Sequence, residues 1–252
     1  MKYLFSIIKS NLYKLSHTKQ LWIHLLMPIL GIAVFCGYFS YSPWSELDKI
    51  FVFIQAVAMA FPLAASIVIT MFYEEEQKAG NFQNILTLPC SKTIPHLSNL
   101  ISLCIFGLIA CICAVVGFGI VFRTMRFNIL SILIFFKLSI VLFAANIALY
   151  TLQYIICFTF GKGISLGLGI VGTLLCPLLY LGLGETIWKY IPFGYGIRLG
   201  TYYLFNFTDT QTYTNILQDF KSGIIISSII SISLIIVFCF WSNHWQGSKQ
   251  SE

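Results

Sequence analysis

Charge is scarce in this sequence. Of its 252 residues, 10% are charged and 58% hydrophobic, and the mean hydropathy is +0.85. A soluble domain has about 25% charged residues, so a water-facing surface cannot be built from this chain. The composition excludes a soluble enzyme or soluble binding module and implies an integral membrane protein. Phosphate-binding machinery is also missing. For "GKG" at 161–163 to close a G-x-x-x-x-G-K loop, glycine would have to stand where Ile156 does. No Asp or Glu falls inside an apolar run, and a proton- or sodium-coupled carrier needs a carboxylate near the midplane. The eight cysteines contain no C-x-x-C, and all but Cys90 lie in apolar segments. They read as small hydrophobes, not as metal ligands or disulfides. His17, His24, His96 and His244 lie at or near the ends of apolar runs, which argues against intramembrane metal hydrolysis. "GISLG" at 163–167 spells G-x-S-x-G, but it opens a membrane helix where that motif needs strand–turn–helix, and Asp209 and His244 fall on opposite sides of the bilayer.

What is present is hydrophobic length. A helix crossing the hydrocarbon core needs roughly 20 apolar residues. Six segments qualify: residues 21–40, 50–73, 98–122, 138–158, 164–184 and 222–242. Lipid-facing irregular backbone is forbidden and these runs are too long for barrel strands, so the expected fold is all-α with six spans in a single domain over 1–252. No A-x-A-like site follows the first run, so it reads as a span and not as a signal peptide.

Lysine placement orients the chain. With residue 1 in the cytoplasm, Lys2, Lys9, Lys14, Lys19, Lys78, Lys92, Lys162 and Lys249 fall inside, and Lys49, Arg123, Arg126, Lys189, Arg198 and Lys221 outside. The N-terminal lysines decide the matter, and both termini are expected in the cytoplasm. The net charge of +6 therefore points to a bilayer surface and not to nucleic acid. Residues 1–20 are amphipathic. Leu4, Phe5, Ile7, Ile8, Leu12 and Leu15 share one arc, and Lys2, Lys9 and Lys14 lie on the other with Ser6, Ser10 and Tyr13; Asn11 breaks the pattern. Such a helix lies in the headgroup layer with its lysines toward anionic lipid. Span four is expected to start at 138, because a helix over 128–158 would be about 46 Å long and would carry Lys137 inward. Residues 127–136 then form an outer interfacial helix. The outer loop 185–221 holds Pro192, Gly194 and Gly196 in an aromatic setting, which suggests a re-entrant or interfacial element.

Between spans two and three lies "FYEEEQKAGNFQNILTLPC", with three adjacent carboxylates in a chain that has only nine acidic residues. Residues 75–88 read as a short amphipathic helix. Ala79, Phe82, Ile85 and Leu86 form its apolar side, Glu74, Glu75 and Glu76 its first turn, and Pro89 its stop. Carboxylates in a first turn are favoured by the helix dipole by roughly 0.3–1 kcal/mol each.

This stretch resembles the coupling loop of ABC-2 type permeases, and more narrowly that of the lantibiotic immunity permeases. Glu76, Gly80, Asn81, Phe82, Leu86, Pro89 and Lys92 stand where that group has an E-x-x-x-G-N-F-like element, an apolar triplet, a proline and a basic residue. "TKQLWIHLLMPIL", with Trp22, His24 and Pro28, is similar to the group's first span. "FGKGISLGLGIVGTLL" is similar to its fourth loop and fifth span. The resemblance implies a bacterial cytoplasmic-membrane permease and a separate ABC ATPase that carries ATP and Mg. It also implies a second permease subunit, identical or related, and a lantibiotic-type peptide as substrate. No cofactor is then expected on this chain. Glu74, Glu75, Glu76, Gly80, Phe82, Leu86 and Pro89 would form the ATPase-coupling element, with an apolar side packing in a cleft of the partner.

Few polar groups lie inside the spans. Gln55 is in span two, and Asn146, Tyr150 and Gln153 share a face of span four at offsets of four and seven. They are candidates for a substrate path or for interhelical hydrogen bonds. Ala56, Ala60 and Ala64 form a small-residue stripe near Pro62, suited to packing within the subunit or against a second permease. Gly163-x-x-x-Gly167 and Ser165-x-x-x-Gly169 suit close packing. The competing readings are an ABC-2 exporter of a lipid, drug or sodium, and a non-transport scaffold or sensor whose acidic loop docks another protein.

Overall fold

The computed structural model describes residues 2–127 and 129–247, and these fold into ten α-helices and three 3₁₀ turns with no strand among them. Six helical segments are long and apolar enough to cross a membrane. The helices are α1 (Lys2–Ser16), α2 (Lys19–Phe39), α3 (Glu46–Lys78), α4 (Gln83–Leu86), α5 (Thr93–Thr124), α6 (Ile132–Ala145), α7 (Ile147–Phe160), α8 (Lys162–Tyr180), α9 (Tyr195–Thr208) and α10 (Thr210–His244). The spans are α2, α3, α5, the pair α6–α7, α8 and α10. The side chain of Lys2, and all of Lys249, lie outside the described residues.

Local chemistry sets the helix starts. Thr18 caps α2 by accepting from Gln20 N–H (3.4 Å), and Ser45 caps α3 by accepting from Asp48 N–H (3.1 Å). Asp209 caps α10, accepting from the backbone of Gln211 (3.1 Å) and Thr212 (3.0 Å). The Thr212 hydroxyl and these amides hold the Asp209 carboxyl below its ordinary value. At 33 residues α3 is about 50 Å long, so it outruns a hydrocarbon core of about 30 Å. α10, with 35 residues, does the same.

The fourth span departs from expectation. It begins at Ile132, so there is no interfacial helix over 127–136: Arg126 takes a left-handed φ of 70° and residues 129–131 are not helical. Lys137 sits exposed in the second turn of α6, within reach of the interface through its aliphatic stem. The span then breaks at Asn146. Its Nδ2 donates to Leu142 O (2.8 Å), while its backbone N–H reaches Phe143 O (2.9 Å). The side chain takes the i−4 carbonyl and tightens the ladder there to i−3.

Core packing is closest between α3 and α8. A Cβ on Gly169 would meet Ser66 Oγ at 2.1 Å, and one on Gly172 would meet Pro62 Cβ at 2.9 Å. The packing stripe of α8 is therefore Ser165, Gly169 and Gly172. Gly163 and Gly167, expected to pack, have nothing within 4 Å of a built Cβ. α3 also stacks on α5 through Phe53 and Phe118, with ring centroids 3.8 Å apart.

At the end away from the termini, the stretch before α10 holds the short helix α9. Its first half, from Tyr195 to Tyr202, is buried, and at 14 residues, about 21 Å, it cannot cross. It presents Arg198, whose Nε donates to Leu179 O (3.0 Å) and whose Nη1 donates to the Tyr202 hydroxyl (2.8 Å). That hydroxyl donates to Asp219 (3.0 Å), which pairs with Lys189 (2.5 Å).

Candidate functional site

The end that carries both termini is where the acidic cluster falls, in a setting unlike the one its sequence suggested. The hydrophobic run stops near Tyr73, but the helix does not. α3 continues through Glu74, Glu75 and Glu76 to Lys78, with Ala79 as its C-cap. Gly80, Asn81 and Phe82 then follow in left-handed conformations, with φ of 126°, 50° and 65°. This turn carries Asn81 N–H to Gln77 O (2.8 Å) and Phe82 N–H to Glu76 O (3.3 Å), so the last carbonyls of α3 are satisfied. Only the four residues of α4 remain helical beyond it. The expected helix over 75–88 is therefore absent. The glutamates end a helix instead of starting one, and Pro89 lies beyond a helix that has already stopped.

Carboxylates in a last turn oppose the helix dipole, so other charges must hold them. Each goes to a different place. Glu74 pairs with Lys162 at the start of α8 (2.8 Å) and, one turn on, with Lys78 (3.8 Å). Glu76, 5% exposed, pairs with Lys14 of α1. Glu75 is half-buried, and its Oε2 has no partner. Glu76 and Glu74 thus form a junction that ties α1 and α8 to the end of α3.

Lys14 was expected to face lipid and faces Glu76 instead. Lys9 is exposed, with Tyr3, Phe5 and Tyr13 on the open side of α1. Asn11, which spoiled the amphipathic pattern, donates from Nδ2 to Asn99 Oδ1 in α5 (2.7 Å). It ties α1 to α5, beside the Lys14–Glu76 tie to α3.

Phe82 also differs from expectation. It is 1% exposed and packs inward on Tyr73, Phe158 and Trp245, at centroid distances of 5.0, 5.8 and 5.4 Å. Ile85 is equally enclosed and Leu86 is half-buried. Apart from the exposed Ala79, the apolar side of the loop is thus turned into the chain and is not offered to a cleft elsewhere. Trp245, just past α10, completes the cluster: its Nε1 donates to Phe158 O (3.0 Å), and Lys92 donates to its carbonyl (2.9 Å). Nothing in the sequence near residue 245 signalled this role. Facing outward are Lys78, Ala79, Gly80, Asn81, Gln83, Asn84, Thr87 and Pro89. This rim is small and polar, and it stands on a packed aromatic base.

The polar residues of the spans do not line one path. Asn146 lies at the break, beside α9, where a Cβ on Gly196 would meet its Nδ2 at 2.6 Å. Gln153 is fully buried against α8 and accepts from Ser165 Oγ (2.9 Å). Gln55 is half-buried on α3. Tyr150 alone borders a cavity. That cavity, of about 210 Å³, lies between α2 and α3 over α5, and the stripe Ala56, Ala60 and Ala64 lines it.

A family profile described as ABC-2 family transporter protein matches residues 7–176, which takes in most of α1, the junction, the loop and most of α8. The chain belongs to the ABC-2 transporter family. No curated protein matches it. As an ABC-2 permease it is a membrane transport subunit, not itself catalytic, and the family as a whole works with ABC ATPases. The carboxylate junction and the rim beyond it lie within the matched region of this permease.

Proposed function

We propose that this chain is the membrane half of a bacterial exporter, and that a separate ABC ATPase, binding ATP and Mg, drives it through the rim at residues 78–89. The observation that carries this reading is the junction behind the rim. A push on the outward residues Gln83 and Asn84 meets the packed Phe82 and Ile85, then the end of α3. From there it passes through Glu76–Lys14 to α1 and through Glu74–Lys162 to α8. One contact surface can thereby move three helices. Gly80, at φ 126°, holds the turn in a backbone conformation that side chains resist.

Both termini would face the cytoplasm of the bacterial cell membrane. Several cations at the opposite end are withdrawn from solvent: Lys49 is buried with its ammonium 4.5 Å from the centre of the Phe127 ring, Arg198 is buried, and Lys189 is paired. Arg123, Arg126, Lys137 and Lys221 stay exposed there, so the orientation rests on the lysines that precede the first span, which the positive-inside rule weighs most. A second permease subunit would pair through exposed faces such as Gly163 and Gly167 of α8. The cargo is a lantibiotic-type peptide removed from the membrane for self-protection, a reading supported by the resemblance of residues 74–92 to the immunity permeases.

The test is co-purification with a co-expressed ABC ATPase encoded beside the permease, together with survival of cells challenged with the peptide. Asn84→Arg and Gly80→Leu should each release the ATPase and remove protection, while the permease itself still accumulates. Full association of both variants would remove the loop from the coupling role. Intact association without protection against any lantibiotic would remove the peptide.

A further inference from the structure

The cavity between α2 and α3 has a polar end. Small residues on facing helices normally draw them together, as at Gly169 and Ser66. Pro28 and Gly31 of α2 face Ala60 and Ala64 of α3 and yet leave an open groove. α2 is the least buried span, so the groove opens toward lipid. Phe35 and Phe53, with ring centroids 5.5 Å apart, border its far end. His24 borders the near end. It is 6% exposed, and its Nδ1 lies 2.7 Å from the Gln20 carbonyl oxygen. A carbonyl can only accept, so Nδ1 carries the proton, and the neutral imidazole leaves Nε2 as an acceptor. That Nε2 has no partner, nor has either amide atom of Gln20, which is 1% exposed and one turn nearer the surface. Buried polar groups without partners are rare and costly, which points to something this chain alone does not supply.

The dimensions fit a lipid. His24 is about 7 Å along α2 from the exposed Lys19. That is the depth of the glycerol region beneath the headgroups, since the interfacial layers add roughly 5–7 Å on each side of the core. From His24 to Phe35 is about 16 Å, close to the ~15 Å of one hydrocarbon leaflet.

We propose that this groove binds an amphiphile from the leaflet on the side of the termini. One hydrocarbon chain lies along Pro28, Gly31, Ala60 and Ala64, and a hydroxyl or ammonium of the polar group donates to His24 Nε2. Phosphatidylglycerol and phosphatidylethanolamine both carry such a donor, and phosphatidylcholine does not.

The test uses the full chain in nanodiscs doped with each of these three lipids, bearing a diazirine in one acyl chain. Adducts on residues 53–68 are counted against those on the open face of α10, residues 224–237, which report bulk lipid. The groove-to-bulk ratio should be about fivefold higher for at least one donor lipid than for phosphatidylcholine, the worth of one hydrogen bond out of water. A preference for phosphatidylethanolamine assigns the ammonium, and one for phosphatidylglycerol assigns the hydroxyl. His24→Phe, which keeps a ring against Phe106, should bring all three ratios together. Ala60→Trp should remove the groove adducts and spare those on α10, and Ala64→Phe provides a second filled groove should the first variant fold poorly. Equal ratios for the three lipids in the unaltered protein would overturn the proposal. So would adducts that survive both filled-groove variants. An absence of groove adducts, as when a second copy of the chain covers the face, would overturn it as well.

Discussion

Glu76→Gln tests the junction most directly. The carboxylate is 5% exposed, and its side chain meets the Lys14 ammonium, itself about one-third exposed. Breaking a fully buried pair costs about 3–5 kcal/mol, but a lysine that can turn to water limits the loss. A hydrogen bond to a charged group, worth about 1.5–3 kcal/mol, is the nearer guide. The amide can still accept from Lys14. It also removes a negative charge from the last turn of α3, which returns roughly 0.3–1 kcal/mol. The expected net loss is about 1–2 kcal/mol. The assay is reversible unfolding in mixed micelles of Glu76→Gln, Lys14→Met and the double variant, with Glu74→Gln as the exposed comparator. The cycle should show coupling between positions 14 and 76, and Glu76→Gln should cost more than Glu74→Gln, whose partner Lys162 stands in solvent. Zero coupling, or the reverse order, would refute the idea that this ion pair fastens α1 to α3.

Phe82→Ala should cost about 3–5 kcal/mol of stability, as for other buried phenylalanines, and Trp245→Ala should loosen the same cluster; limited proteolysis near residue 84 would then accelerate in both, and an unchanged rate would deny that the aromatic base holds the rim. For orientation, cysteines placed in a cysteine-free background at Ser45, Thr210 and Asn84, all exposed positions, should react with an impermeant external reagent at the first two only; labelling at 84 would invert the topology and place the rim away from any cytoplasmic ATPase.

The spans were legible because lipid leaves the chain so few options. Six apolar runs of sufficient length yield six spans, and the boundaries shift where helix and hydrocarbon part company. The acidic cluster shows how that parting misleads. The end of the apolar run at Tyr73 looked like the end of a helix, so the glutamates looked like the start of another. Glu, Gln, Lys and Ala are all good helix formers, and α3 simply continues through them into water. The true stop was written in the sequence as Lys78 in a last turn with Gly80 just past the C-cap, a C-terminal signature. The drop in hydropathy five residues earlier, at Tyr73, masks it.

The residues that escaped sequence reading share a different cause: each is defined by a partner far along the chain. Asn11 spoiled an amphipathic pattern because its partner is Asn99. Phe82 looked like an exposed anchor because Trp245, which covers it, lies just past the last helix. A polar residue on an apolar arc, or an aromatic in a polar loop, marks a tertiary contact without naming its other half. The same logic gives His24 its weight. Its Nδ1 finds a carbonyl one turn away, while its Nε2 and the Gln20 amide find nothing in the chain. The partners of Asn11 and Phe82 lay within the fold, whereas the partner of His24 must be sought in the bilayer that the groove opens onto.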